Sequence, residues 1–172
     1  LVTRPDIVGK DLAIELQSLQ DDLPPFAMSI AKQSIIYEIG QAKFNEIKNL
    51  SEPIAAASLA KVHFADIVEK QFAIKILWLG IDKRFNDELE ALMLFASIVE
   101  SLLPKTRRLK LIEVVHLLKE ITTIEMDLRF EGSAASELKK NTDQDPKFKV
   151  PNINWDFTSK RILTSEKVDG IK

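Results

Sequence analysis

A lysine two residues beyond an alanine, in the otherwise apolar run Phe72-Ala73-Ile74-Lys75-Ile76, is the group in this sequence best suited to holding an anion. On a strand, Ala73 and Lys75 share one face, while Phe72, Ile74 and Ile76 share the other and point to a core. A small residue beside an ammonium group suits a flat base lying on the sheet with its phosphates reaching the cation. A lysine snorkelling from an edge strand satisfies the same pattern. Ahead of it, Ala55-Ala56-Ala57-Ser58 lies between two β-type runs. Small side chains let backbone approach a phosphate, although alanine adopts positive φ less readily than glycine. The same four residues could open a short helix, given the helix propensity of alanine. Their order matters more than either signal alone. A small-residue loop joining two strands, with a lysine on the third, is the layout of a nucleotide-binding lobe.

A lysine in that role needs a carboxylate to hold it. Glu125, Asp127 and Glu131 lie on a helical stretch further along. Four-residue spacing puts Asp127 and Glu131 on one helix face, with Glu125 about a turn and a half from Glu131. A solvated acidic face explains the three equally well. His63 reads as a structural strand residue and His116 as a surface one.

The elements that would position these groups follow from periodicity and breakers. Val8–Gln20 has helical spacing in Leu12, Leu16 and Leu19, and Pro24-Pro25 closes that segment. Ser29–Gln41 is a second helix, with Gly40 as its stop. Strands are expected at Phe44–Ile54, Leu59–Glu69, Phe72–Leu79, Val150–Phe157 and Arg161–Val168, with a tight turn at Lys70-Gln71. From Asp82 to about Leu103, the apolar residues Phe85, Leu89, Leu92, Phe95, Ala96, Val99 and Leu103 return to helical spacing, and Pro104 ends them. A long helix or helix pair spans Leu109 to about Asn141. The fold class is therefore α+β, a five-stranded antiparallel sheet with inserted helices. Residues 1–43 form a helical extension and residues 44–172 the sheet-bearing lobe.

Composition narrows the function. The chain has 172 residues, 45% hydrophobic and 29% charged, as in ordinary globular domains. A net charge of −2 with scattered Lys and Arg gives no nucleic-acid footprint. No cysteine is present, so disulfides and thiolate metal sites are excluded, and two separated histidines suggest no metal cluster. No apolar run approaches the ~18 residues of a membrane-spanning helix. A cytoplasmic protein, free or at the inner face of a membrane, is expected.

Taken together, five segments resemble the UbiB/ADCK family of atypical protein-kinase-like proteins, which support ubiquinone biosynthesis. They are Thr3-Arg4-Pro5-Asp6 with Leu19–Phe26; Glu52–Ser58 with Val62-His63; Phe72-Ala73-Ile74-Lys75; Glu125, Asp127 and Glu131; and Ile162–Glu166 with Asp169-Gly170. The resemblance implies a kinase-like N-lobe. Lys75 would pair with Glu131 and orient phosphates, with Ala73 beside it. Ala55, Ala56, Ala57 and Ser58 would cover the nucleotide. Glu125 and Asp127 would form the family's ExD motif, and Glu166 to Val168 would present hinge backbone to adenine. The implied cofactor is ATP with magnesium.

The departures bear on activity. Lys61 stands where the family has glutamine, Trp78-Leu79-Gly80 replaces Arg-Pro-Gly, and Gly132 follows Glu131 where alanine is usual. The family's KxGQ motif would precede Leu1, and the sequence stops at the hinge. A truncated N-lobe is expected, with no catalytic residue and no metal ligand of its own. ATP and magnesium would be taken only with a C-lobe polypeptide, the expected partner beside ubiquinone-pathway proteins. Whether the chain is an enzyme at all depends on that partner. The alternative is a non-catalytic remnant or partner-binding module. Family members also carry the pathway label 2-polyprenylphenol 6-hydroxylase, but no dinucleotide-binding glycine turn and no two-histidine-one-carboxylate set supports oxygen chemistry here.

Overall fold

The computed structural model describes residues 27–56, 60–145 and 147–168. The expected helix Val8–Gln20 lies outside them, as do Ala57 and Ser58. Helix α1 (Met28–Ile39) buries Ala31, Ser34 and Ile35, the positions that i, i+3 and i+4 spacing brings to one side. Gly40 ends it at φ +86°, its N–H bonded to the Ile36 carbonyl at 2.9 Å. A short helix α2 (Gln41–Glu46) follows, then strands β1 (Ile47–Lys48), β2 (Ala55–Ala56), β3 (Ala60–Ile67) and β4 (Lys70–Leu77). Helix α3 (Ile81–Leu102), a 3-10 helix (Pro104–Leu109) and helix α4 (Leu111–Glu125) form a hairpin. Helix α5 (Leu128–Thr142), a 3-10 turn (Trp155–Phe157) and strand β5 (Ile162–Glu166) complete the order.

All strand pairings are antiparallel. The sheet runs β1-β3-β4-β5, and β2 shares β3 with β1. It counts five strands, but not the five expected. The run Phe44–Ile54 is not one strand. Its start belongs to α2, because Gln41, Ala42, Lys43 and Glu46 are good helix formers placed after a glycine stop. Only Ile47–Lys48 then forms a ladder with β3; Ser51 and Ile54 each donate a single N–H to it, both at 2.8 Å, before the ladder resumes at Ala55–Ala56. Val150–Phe157 also fails as a strand. Pro151 cannot donate to a ladder, and the segment makes one bridge, Ile153 to Ser165, before curling into the 3-10 turn. The β3–β4 turn falls at Val68-Glu69, not Lys70-Gln71, and both turn residues have positive φ, 47° and 62°.

The two sheet faces have separate cores. Phe72, Ile74 and Ile76 pack with Ala65, Ile67, Ile162 and Phe157 against Ala31 and Ile35 of α1. On the opposite face Ala60, Leu77 and Leu163 pack against Leu128 of α5. The expected long helix is a pair, broken at Met126-Asp127. Asp127 is extended and caps α5, its carboxylate accepting from the Arg129 N–H. The four-residue relation between Asp127 and Glu131 is therefore lost. In α3, Leu89 and Ala96 are buried against Val115 of α4, whereas Leu92, Phe95 and Leu103 are exposed. Among the described residues, no helix is long and apolar enough to cross a membrane.

Candidate nucleotide site

Lys75 lies on β4, flanked on both sides by neighbouring strands, so the edge-strand reading does not apply. Its register partners are Val62 on β3 and Leu163 on β5, and Val62 in turn faces Ala55 on β2. One row across the sheet therefore runs Ala55, Val62, Lys75, Leu163. The next row on the same face is Phe64, Ala73, Ser165, all half-buried. This face is a shallow floor of small and apolar side chains from which the Lys75 ammonium rises.

Helix α5 crosses the far side of that floor. Leu128 is buried at its start, and its N–H bonds to the Lys160 carbonyl at 2.8 Å, which fixes where the helix begins. One turn on, Glu131 reaches Lys75, with Oε2 2.6 Å from Nζ. Both groups keep solvent contact, the lysine side chain 29% exposed and the glutamate 50%. The next residue, Gly132, explains how the helix comes so close. A Cβ there would lie 3.0 Å from Leu163 Cδ1 and 3.1 Å from the Trp155 ring. This glycine, which helix propensity alone marks as a defect, is a contact point.

The other acidic candidates are elsewhere. Glu125 is exposed at the end of α4. Asp127 is buried and chelated by Arg129, whose Nε and Nη2 donate at 2.9 and 2.6 Å. Those bonds hold its carboxyl below the usual carboxylate range, outweighing the opposite push from burial. Asp127 thus positions the helix that carries Glu131.

Ala55 is exposed on the edge next to Val62, and Ala56 pairs with Lys61, so the alanine loop springs from the end of the row that holds Lys75. Lys61 alternates to the opposite side. At the C-terminal end of β5, the Glu166 N–H bonds to the Asn152 carbonyl at 2.9 Å, and the Lys167 N–H to the Gln71 carbonyl at 3.0 Å. The Glu166 carboxylate accepts from Asn152 Nδ2 at 2.7 Å. Val168 follows, and Lys167 Nζ stands 4.9 Å from the Phe64 ring centroid. Val62, Phe64, Ser165 and Gly132 were not among the sequence candidates. Strand parity with Lys75 marks Val62 and Phe64, whereas Gly132 stands out only as a glycine inside a helix, which does not say what it touches.

A nucleotide phosphate fits this arrangement, because a partly exposed cation is held in place over small residues. Magnesium does not fit it unaided. Glu131 is committed to Lys75, and among the described residues no group of three or more His, Asp or Glu could hold a metal.

Residues 18–172 match the ABC1 atypical kinase-like domain. The chain is 34% identical over 173 residues to "Probable protein kinase UbiB" of Marinobacter nauticus, covering 99% of this chain and 32% of that protein. Proteins of the same name from Azotobacter vinelandii and Cellvibrio japonicus are 34% and 31% identical, again over 99% of this chain. The chain spans about a third of the length of these relatives. With the family model covering most of its length, and an antiparallel sheet and helices of kinase-like class beneath it, the chain belongs to the ABC1 atypical kinase-like family.

Proposed function

We propose that this chain is the ATP-binding N-lobe of a UbiB-like atypical kinase or ATPase supporting ubiquinone biosynthesis. The observation that carries the reading is the Lys75–Glu131 ion pair over the floor of Val62, Phe64 and Ala73. A lysine so held keeps its ammonium aimed at one place, and the small Ala73 leaves room for a base. When bound, ATP with magnesium would supply the transferable phosphoryl group. Lys75 would bind and orient its phosphates, and the Ala55–Ser58 loop would exclude water from above. The Glu166 carbonyl and the Val168 N–H would meet adenine.

The magnesium ligands and the catalytic base would come from a C-lobe. Alone, the chain should show no ATPase turnover and only weak ATP affinity, because small-ligand sites normally bury most of the ligand. Calorimetry with ATP and magnesium tests this. Adding a matching C-lobe should restore binding, and Lys75→Ala should weaken it. Tight binding by the chain alone, or indifference of the pair to Lys75→Ala, would refute the assignment. A non-catalytic partner-binding role is favoured instead by Lys61 and Trp78-Leu79, and it predicts no ATP binding even with the C-lobe. For its location we propose the cytoplasm, with peripheral association at the inner face of a membrane.

A further inference from the structure

The α3–α4 hairpin carries an exposed surface that the nucleotide reading does not use. The two helices meet through Leu89, Ala96 and Val115 and leave their outer sides apolar. Leu94, Phe95 and Leu102 of α3 are exposed at 64, 63 and 73%, with Leu117 and Ile121 of α4 near half. Such a surface needs something to cover it. The tip says what.

Between Glu100 and Glu113 the chain has four cations, Lys105, Arg107, Arg108 and Lys110, of which Lys110 is paired with Glu113. Leu102 and Leu103 lead into them, Leu109 stands between Arg108 and Lys110, and all three leucines are exposed. Lys105 and Arg108 are three apart on a 3-10 helix, where such side chains eclipse and point the same way. Arg107 pins the tip by donating from Nε to the Glu100 carbonyl at 3.0 Å, and Lys110 is held by Glu113 at 2.8 Å.

We propose that this tip, with the apolar side of the hairpin behind it, seats on an anionic lipid surface. Leucines among cations at one projecting end match both layers of a bilayer interface. The apolar groups enter the acyl boundary, and the cations meet anionic headgroups. The charge is complementary to such a surface and self-repelling in a tip-to-tip contact with a second copy. The inference deepens the proposed membrane-face location and stands apart from the nucleotide site.

Co-sedimentation of the full chain with phosphatidylcholine vesicles, with and without phosphatidylglycerol, tests it. Binding is expected only with phosphatidylglycerol, and it should weaken as salt rises. Lys105→Glu with Arg108→Glu should cut affinity roughly tenfold or more, and Leu102→Ser with Leu109→Ser should also weaken it. Lys140→Glu, on α5, is the control and should change little. Circular dichroism of each variant establishes that it folds. Binding that persists in both tip variants overturns the hairpin assignment and leaves the membrane location standing, whereas no vesicle binding sinks both. A dimer that Leu102→Ser dissociates overturns the proposal in favour of a second copy.

Discussion

Gly132 and Leu163 are in direct contact, and Leu163 is the register partner of Lys75. Consecutive residues of α5, Glu131 and Gly132, thus meet neighbouring side chains of one sheet row. The ion pair depends on how closely the helix is seated, and that seating depends on a missing side chain. Gly132→Ala should change stability by less than about 1 kcal/mol, since a helix-propensity gain of that size offsets a contact that the Leu163 tip can relieve. Gly132→Val should cost about 2–3 kcal/mol in urea denaturation, because a branched side chain cannot be accommodated. An unaltered Gly132→Val variant would refute the seating.

Lys75→Ala and Glu131→Ala should each leave the fold nearly intact. The pair is partly solvated, so its coupling in a double-mutant cycle should be at most about 1 kcal/mol. It should also shrink as salt rises. A coupling several times larger would mean that the pair is structural and that its geometry is not reserved for a ligand.

Val68 and Glu69 make the β3–β4 turn with positive φ, which a β-branched valine adopts only under strain. Asn-Gly is the natural occupant of such a turn. Val68→Asn with Glu69→Gly should stabilise the chain by about 1–2 kcal/mol, read as a higher midpoint in thermal or urea melts. No gain, or a loss, would contradict the turn geometry.

Asp127 has a folded pKa below its unfolded value of about 3.9. Its contribution is fully present above that unfolded value and is lost as pH falls through the folded one. Asp127→Asn should therefore cost about 1–2 kcal/mol at neutral pH, through the weakened bonds to Arg129. The gap to the wild type should close in acid. A gap that is the same at pH 7 and in strong acid would show that the carboxylate charge is irrelevant.

Alternation made Lys75 legible, because Phe72, Ile74 and Ile76 had one place to go and Ala73 and Lys75 the other. The same parity extends across β3 to Val62 and Phe64. A helix pair was one reading of the stretch after Leu109, but the position of its break, Met126-Asp127, was not legible. Nothing in the apolar periodicity marks it, and its cause is distant: the Leu128 N–H is claimed by the Lys160 carbonyl. Phe44 misled because an apolar residue on a six-residue helix looks like one on a strand until its neighbours are counted. Val150–Phe157 misled less, since Asn152 and Asn154 still bond to β5 at 2.9 and 2.8 Å. What fails there is continuity, at Pro151 and in the turn after Asn154.

Leu77, where the chain leaves the sheet, and Leu128, where it returns, belong to the same small core. The whole α3–α4 excursion thus departs from and rejoins the lobe at almost one point. Its length and sequence can drift without moving Lys75 or Glu131, since neither residue is suspended from it. The chain treats it as an appendage clipped to a hinge pin. Selection acting on whatever the appendage touches would be free to reshape it while the sheet floor around Lys75 stayed fixed.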